Sequence, residues 1–342
     1  MKVVALAGGV GAGKFLRGLV RAVPAGGITA VVNTGDDLDV HGLRVCPDLD
    51  SVTYWLGDAF DRARGWGRRD ETFRATEELR TFDPDAAWFG LGDLDLATHL
   101  FRTRSLADGM SLSGVTARIA DRFGIDATIV PMTEDRVETR LDVVAEGREM
   151  DLHFQEYWVR RGARDDVKAI RFEGAERASP APGVLAAMRD ADVVVICPSN
   201  PVVSIGPILA VPGVLDAIEA ADVIVICPSN PVVSIGPILS VPGVRAAVAA
   251  RPVVGVSPIV GGRPLAGMAD RLMPVVGLEV SAVGAARAYH DLLDAWVIDR
   301  EDAGLRARVG EEIAARVAVT DTVMRDDEVA EHVARTALAT LP

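Results

Sequence analysis

The start of the chain constrains the fold more than any other segment. A short β-rich run, Val3–Ala7, leads into the glycine-rich stretch 8–13, and helical periodicity follows from Lys14 to Val20. A second buried-strand candidate, Ile28–Val32, comes next. This order of strand, glycine loop, helix and strand predicts a βαβ unit and a parallel sheet. Because ligands of such sheets bind at the carboxyl ends of the strands, the residues after these strands are the first candidates for a site.

The rest of the chain extends this pattern with more short strands and a helical segment. Residues 51–123 are mostly helical in pattern and rich in Trp, Arg and Asp, which predicts a helical insertion beside the sheet. The tail from Glu328 to Leu341 predicts a closing helix. We therefore expect one α/β domain over 1–342, with a Rossmann-like core, a mostly parallel sheet and this insertion. Further strands are predicted at 127–131, 138–144, 150–154, 193–196, 223–226 and 253–256.

The chain contains an internal duplication. Residues 191–214 recur as 221–244, and the two copies differ only at Val194/Ile224 and Ala210/Ser240. Pro-Gly-Val occurs at 182, 212 and 242, so the repeated units overlap as 182–214 and 212–244. Two copies are fewer than the three or so that a solenoid requires. One position in a sheet accepts one strand, so the duplication must add a neighbouring strand or expel a unit from the sheet.

Charge and cysteine content exclude several classes of protein. The net charge is −13, from 49 acidic and 36 basic residues, and no basic run could follow a nucleic-acid backbone. A negative protein that binds an anionic substrate needs a metal ion, backbone N–H groups or a few placed cations, so we expect a metal. The three cysteines form no Cys-x-x-Cys pair, which fits a reducing cytoplasm. No apolar run is long enough for a signal sequence or a membrane span.

The glycine loop is compatible with several kinds of site. Residues Gly8 to Lys14 match Gly-x-x-x-x-Gly-Lys, but Phe15 stands where a nucleotide triphosphatase has Ser or Thr to hold magnesium. The second strand ends on Asn33, where a dinucleotide-binding protein has a ribose-binding acid. Two readings remain open: a tight turn with no ligand, or a cradle of N–H groups for a phosphate or a ring.

Four acids follow the second strand: Asp36, Asp37, Asp48 and Asp50. They could be surface acids, and Asp50 could cap a helix that begins near Ser51. The functional alternative is magnesium, which prefers one or two carboxylates together with phosphate oxygens and water. Two further segments carry polar groups without a clear assignment, namely 90–99 and the turn-rich loop 197–207 after a predicted strand.

A set of short motifs follows in order along the chain: the glycine loop, Asn33–Asp37, His41–Arg44, Pro47–Asp50, Arg64–Gly67, Gly92–His99, His153–Gln155, Pro198–Pro201 and Ser257–Gly261. As an ordered set, these motifs resemble the 2-phospholactate transferase family of coenzyme F-420 biosynthesis, which includes an actinobacterial phosphoenolpyruvate-transferring branch. The likeness spans nearly the whole chain.

The resemblance implies a magnesium-dependent transferase. The acceptor would be the deazaflavin alcohol Fo (7,8-didemethyl-8-hydroxy-5-deazariboflavin), and the donor lactyl- or enolpyruvyl-diphosphoguanosine. The acceptor hydroxyl would attack the phosphorus that bears the three-carbon acid, giving F-420-0 or its dehydro form, and GMP would leave. Relatives lead us to expect a homodimer, and no residue indicates which of the two donors is used.

The resemblance also implies roles for individual residues. Asp48 and Asp50 would be catalytic, and the four acids Asp36, Asp37, Asp48 and Asp50 would hold the metal. Asp50 would lie at the acceptor, and the Pro-Ser-Asn loop near the guanosine diphosphate. The substrate-binding residues would be Gly9, Gly11, Asn33, Asp50, Asp93, Leu94, Asp95, Ser199, Asn200, Ser229, Asn230 and Ser257.

Three features depart from the family. Leu94 replaces an Arg or Lys expected to contact the acceptor, Ala12-Gly13 reverses the usual order, and the Pro-Ser-Asn loop occurs twice. Of the two loops, we expect the second to line the nucleotide site, because it keeps the short connection to Ser257. The alternatives are an inactive paralogue or a regulatory nucleotide-sugar-binding protein on the same fold.

Overall fold

The structure of the protein is a computed structural model, and it describes residues 1–85, 88–145, 147–265 and 269–340. Leu341, the end predicted for the closing helix, lies outside these residues. The strands, in chain order, are β1 (Val3–Ala7), β2 (Ile28–Val32), β3 (Leu38–Val40), β4 (Leu43–Val45), β5 (Thr128–Pro131), β6 (Glu138–Ala145), β7 (Arg148–His153), β8 (Asp166–Glu173), β9 (Val193–Ile196), β10 (Val223–Ile226), β11 (Val253–Val256), β12 (Ile259–Val260), β13 (Arg263–Pro264), β14 (Ala295–Asp299) and β15 (Arg316–Thr320).

Helices cover the sheet and form the insertion. The α-helices are α1 (Gly9–Ala22), α2 (Pro47–Leu56), α3 (Arg74–Phe82), α4 (Asp93–Ala107), α5 (Leu112–Arg122), α6 (Val184–Arg189), α7 (Gly206–Ala210), α8 (Val214–Ile218), α9 (Gly236–Ser240), α10 (Val244–Ala249), α11 (Ala269–Leu272), α12 (Ala282–Arg287), α13 (Arg306–Ile313) and α14 (Asp327–Ala339). π-helical turns occupy Glu156–Arg160, Pro201–Ile205 and Pro231–Ile235, and 3₁₀ turns occupy Ala175–Arg177, Pro274–Val276 and Arg300–Leu305.

The core is one sheet of eight strands in the order β15-β14-β11-β10-β9-β1-β2-β5. Every pair in it is parallel. Its central strands are buried on both faces, since alternate residues pack into two separate apolar clusters, one containing Val4 and Leu6 and the other Val3 and Ala5. The predicted α/β fold with a mostly parallel, Rossmann-like sheet is confirmed.

The duplication adds a strand to this sheet. The two copies form β9 and β10, which pair in phase, with Val193 opposite Val223 and Ile196 opposite Ile226. β9 also pairs with β1, whereas β10 also pairs with β11. Each copy therefore keeps one of the two flanks that a single strand would have between β1 and β11.

Two appendages, the helical insertion and a small antiparallel sheet, stand near the carboxyl edge of the main sheet. Within 51–123, the described residues form most of α2 together with α3, α4 and α5. Strands β7, β6 and β8 form a separate antiparallel sheet, and β3 and β4 form a short hairpin. The sequence patterns predicted β6 and β7 but not β8, β14 or β15. Among the described residues, no helix has the length and apolar character that crossing a membrane requires.

Candidate functional site

A cavity of about 1150 Å³ opens beside the carboxyl ends of β1 and β9. One side is built on the sheet and on the start of α2, and the other side on the two appendages. The sheet side comprises Gly8, Gly9, Val10, Gly11, Asp36, Pro47, Asp48, Asp50, Ser51, Pro198, Ser199, Asn200, Val202, Val203 and Ser204. The appendage side includes Tyr54, Trp66, Trp88, Phe89, Asp95, His99, Leu141, Phe154, Gln155, Tyr157, Trp158 and Ile170.

The glycine loop docks directly on the first Pro-Ser-Asn loop. A Cβ at Gly11 would overlap the Pro198 carbonyl oxygen, and one at Gly8 would overlap the Ser204 side chain. The Gly8 N–H donates to Ser199 Oγ at 3.1 Å. Only glycine permits so close an approach of two backbones. The structure places Gly9 and Gly11, together with Ser199 and Asn200, in one wall of the cavity.

Asp48 lies in the first turn of α2, where Pro47 begins the helix and where acids are favoured by the helix dipole. Its carboxylate accepts a hydrogen bond from Asn33 Nδ2 at 2.8 Å. Burial raises the pKa of Asp48 to about 6, despite hydrogen bonds from Asn33, Ser204 and the Gly9 backbone. Burial and the charges of Asp48 and Asp37 raise the pKa of Asp36 well above its ordinary value. Asp36 and Asp48 thus form a buried, mutually repelling pair that faces the cavity.

The four acids predicted to hold a metal do not form one site. Among the described residues, no three His, Cys, Asp or Glu side chains are arranged to hold a metal ion together. Asp37 does not line the cavity and hydrogen-bonds with Cys46, while Asp50 is paired with Arg102. Asp36 and Asp48 remain, and the Asp36 Oδ1 atom is buried without a hydrogen-bond partner. Two such carboxylates suit magnesium, which takes its other ligands from water and phosphate oxygens.

Asp50 belongs to a buried network that sequence reasoning missed. Arg102 holds its carboxylate with two nitrogens, one of them 3.1 Å from Oδ2. Arg102 also contacts His99, which lies 3.4 Å from Asp95. Asp95 in turn accepts from the Tyr54 hydroxyl at 2.6 Å. The spacing of 95, 99 and 102 along a predicted helix was an available signal, because it places all three side chains on one face.

Asn33 was predicted to bind substrate, but the structure places it behind the cavity wall. Its side chain is completely buried, donates to Asp48 and to the Val203 carbonyl at 3.0 Å, and accepts from the Gly35 N–H at 2.8 Å. All these partners belong to the protein, so Asn33 orients Asp48 and the loop after β9 rather than lining the cavity.

Asp93 and Leu94 also lie outside the described lining of the cavity. Asp93 accepts hydrogen bonds from Thr72 and from the N–H groups that begin α3, so its carboxylate is used as a cap. Leu94 is 40% exposed at the first turn of α4. Of residues 93–95, it is Asp95 that reaches the cavity, because it turns to the buried face of the helix.

The second Pro-Ser-Asn loop and Ser257 are displaced from the cavity. The described lining contains Ser199 and Asn200 but neither Ser229 nor Asn230. The preference for the second copy therefore gains no support from this cavity and stays a prediction. Because β10 intervenes between β9 and β11, Ser257 is also removed from the glycine loop. Its hydroxyl is buried and bonds with the backbone of Ile259 at 2.9 Å.

The fold and this cavity define an α/β protein of Rossmann-like architecture, with a candidate ligand site at the carboxyl edge of its sheet. The sequence pattern of one family, described as 2-phospho-L-lactate transferase CofD, matches residues 3–220 and 210–338. The chain belongs to this family and is a transferase. The two matches overlap within the duplicated segment, which is where the family pattern is interrupted.

Several relatives match over almost their full lengths. The chain is 46% identical over 340 residues to the phosphoenolpyruvate transferase of Streptomyces avermitilis, covering 99% of this chain and 98% of that protein. It is 45% identical over 339 residues to the phosphoenolpyruvate transferase of Streptomyces griseus, with the same coverage. A crystal structure of a UPF0052 family protein from Bacillus halodurans aligns with a TM-score of 0.53 and 15% identity over 98% of both chains. This last likeness supports the fold alone.

Proposed function

We propose that the protein transfers the phosphorylated three-carbon acid from enolpyruvyl- or lactyl-diphosphoguanosine to Fo, forming dehydro-F-420-0 or F-420-0 and GMP. The carrying observation is the composition of the cavity, which joins a glycine loop and an acidic pair on one side to seven aromatic residues on the other. The first side suits a diphosphate with a cation, and the second suits a flat ring system. The names of the relatives favour enolpyruvate as the transferred acid.

The donor phosphates are assigned to the start of α1. Its first N–H groups have no intrahelical partner, and those of Gly8 and Gly9 are taken by Ser199 and Asp48. Val10 and Gly11 follow in the cavity wall, so their N–H groups are the ones we assign to a phosphate. Asp36 and Asp48 would hold a magnesium ion, whose charge offsets that of the diphosphate.

The acceptor ring is assigned to the appendage side of the cavity. Phe154 and Trp158 are stacked with centroids 6.3 Å apart, and Trp158 is 59% exposed. Asp50 lines the cavity and its carboxylate lies 3.7 Å from His99 Nδ1 on the appendage side. We therefore assign Asp50 to orient the hydroxyl that attacks phosphorus. The reaction then depends on positioning and on charge stabilisation rather than on a covalent enzyme intermediate.

The direct test is Fo-dependent release of GMP. We expect the purified protein with magnesium to form GMP and a phosphorylated Fo derivative from one of the two donors. Chromatography with fluorescence detection measures the Fo derivative. Chelation with EDTA should stop product formation, and added magnesium should restore it. A related transferase assayed with the same substrates is the positive control. If that enzyme works while this chain releases no GMP with either donor, the inactive paralogue replaces the transferase.

A further inference from the structure

Arg102 is buried beneath the cavity wall, where no motif assigned it a role. It lies in α4, seven positions after Asp95 and three after His99, and only 1% of its surface is exposed. Arginine is almost never buried to this extent without charged partners. Its contacts therefore define what it does.

The guanidinium group of Arg102 contacts both Asp50 and His99. Its two terminal nitrogens each contact one oxygen of the Asp50 carboxylate, and one of them also lies 3.2 Å from His99 Nδ1. The same nitrogen donates to the Arg44 carbonyl at 3.3 Å. A two-point contact of this kind fixes the plane of the carboxylate as well as its position.

The contact with Arg102 bears on which His99 nitrogen carries the proton. Because a guanidinium only donates, a hydrogen bond between Arg102 and His99 Nδ1 requires Nδ1 to accept, and the proton of a neutral ring is then on Nε2. His99 Nε2 lies 3.4 Å from Asp95 Oδ2. Asp50, His99, Asp95 and Tyr54 all line the cavity, whereas Arg102 joins them from behind.

We propose that Arg102 is a positioning residue, which sets the orientation of the Asp50 carboxylate and the tautomer of His99 toward the bound acceptor. The identity of that acceptor rests on the proposed function. Lysine would keep the positive charge but could not make the planar two-point contact while also donating to His99. A lysine at position 102 therefore separates the effect of the guanidinium geometry from the effect of its positive charge.

The kinetic test compares Arg102→Lys with the wild-type protein. We expect kcat to fall about 100-fold, as for a misplaced catalytic group, while KM for Fo changes much less. The double variant Asp50→Asn/Arg102→Met removes the buried pair as a unit, so it should keep a cooperative thermal transition while lacking turnover. A wild-type kcat in folded Arg102→Lys would overturn the proposal.

A second readout does not require turnover. Nitrogen-15 NMR of the imidazole rings, with His99→Gln used for assignment, should show the Nε2–H tautomer of His99 in the wild type and a loss of that preference in Arg102→Lys. An Nδ1–H tautomer in the wild type would refute the geometry. If the expected tautomer is found but no donor is consumed, the proposed reaction fails while the positioning network stands.

Discussion

Lys14 and Asp50 distinguish a triphosphatase loop from the site described above. Because α1 begins at Gly9, Lys14 falls in its second turn, where it is exposed and outside the described cavity lining. The likeness of the loop to a triphosphatase motif is therefore confined to its sequence. Asp50 instead faces the cavity and is held by Arg102.

We expect Asp50→Asn to abolish turnover and Lys14→Ala to reduce it much less. Under the proposed function, substitution of Asp50 removes a charge that Arg102 holds in the cavity wall, whereas Lys14 lies outside the described lining. Initial rates at saturating Fo and donor, with thermal unfolding to verify folding, make the comparison. An inactive Lys14→Ala beside an active Asp50→Asn would reverse these assignments.

Asp37 should make the ligand-free protein less stable as the pH rises. Burial raises its pKa to about 7, against about 3.9 in an unfolded chain. Between these values the folded state binds more protons than the unfolded state, so the free energy of unfolding falls as pH increases from about 4 to 7. The shift corresponds to at most about 4 kcal/mol.

The matching experiment measures the unfolding midpoint in EDTA at about pH 5 and pH 8. Asp37→Asn cannot ionise, so we expect it to lose less stability over this interval than the wild type. Asp121→Asn, a change at an exposed aspartate of α5, provides the control. Equal losses in the wild type and in Asp37→Asn would contradict the assignment of this pH dependence to Asp37.

At the scale of elements, the two Pro-Ser-Asn loops provide a matched pair. Each asparagine caps a π-helical turn through its own side chain, Asn200 toward Val202 at 2.9 Å and Asn230 toward Val232 at 2.9 Å. In the part of the chain that the structure describes, the first loop touches the glycine loop and lines the cavity, whereas Ser229 and Asn230 are not among the lining residues.

We therefore expect Asn200→Ala to weaken donor binding and Asn230→Ala to leave it close to wild type. Both variants lose the same kind of cap, which costs about 1 kcal/mol, so any difference between them reports the site. Titration of the donor by calorimetry measures it. Loss of binding only in Asn230→Ala would restore the preference for the second copy.

The sequence predicted the elements that carry strong local patterns. The glycine loop, the central strands and the duplication were all visible, because apolar runs and repeats are local properties. β8 was not predicted, since most of its residues are exposed and it lacks a buried face of its own. The link between Asp50 and Arg102 could not be predicted from local spacing, because 52 residues separate them and only the packing of α2 near α4 brings them together.

For the molecule as a whole, the duplication can be removed without a new junction. Deleting residues 206–235 joins Ile205 to Gly236, and the local sequence across the join is that of either copy. The shortened chain should fold cooperatively with seven strands in its main sheet and should retain donor binding, because the first loop is kept. Thermal unfolding and donor titration test this.

A deletion of 29 residues is the control for the 30-residue deletion. Removing residues 207–235 leaves one extra glycine, Gly206 before Gly236, at the start of the helix that follows the first loop. One extra residue rotates that helix by about 100° relative to the turn before it, so its apolar face no longer meets the sheet. We expect this variant to be poorly folded. A well-folded 29-residue deletion beside an unfolded 30-residue deletion would contradict the in-phase insertion.

The added strand also limits how far this sheet could grow. The final helix, α14, follows the edge strand β15, yet it packs on α1, with Gly18 against the backbone of Ala330. From β15 to β1 there are five strand spacings, or about 24 Å at 4.8 Å each. Residues 321–326 span at most about 20 Å when extended, and the helix itself supplies about 20 Å more. A third copy would add another strand spacing to this distance. The combined length of residues 321–326 and α14 therefore sets the largest number of strands that can lie between β15 and β1.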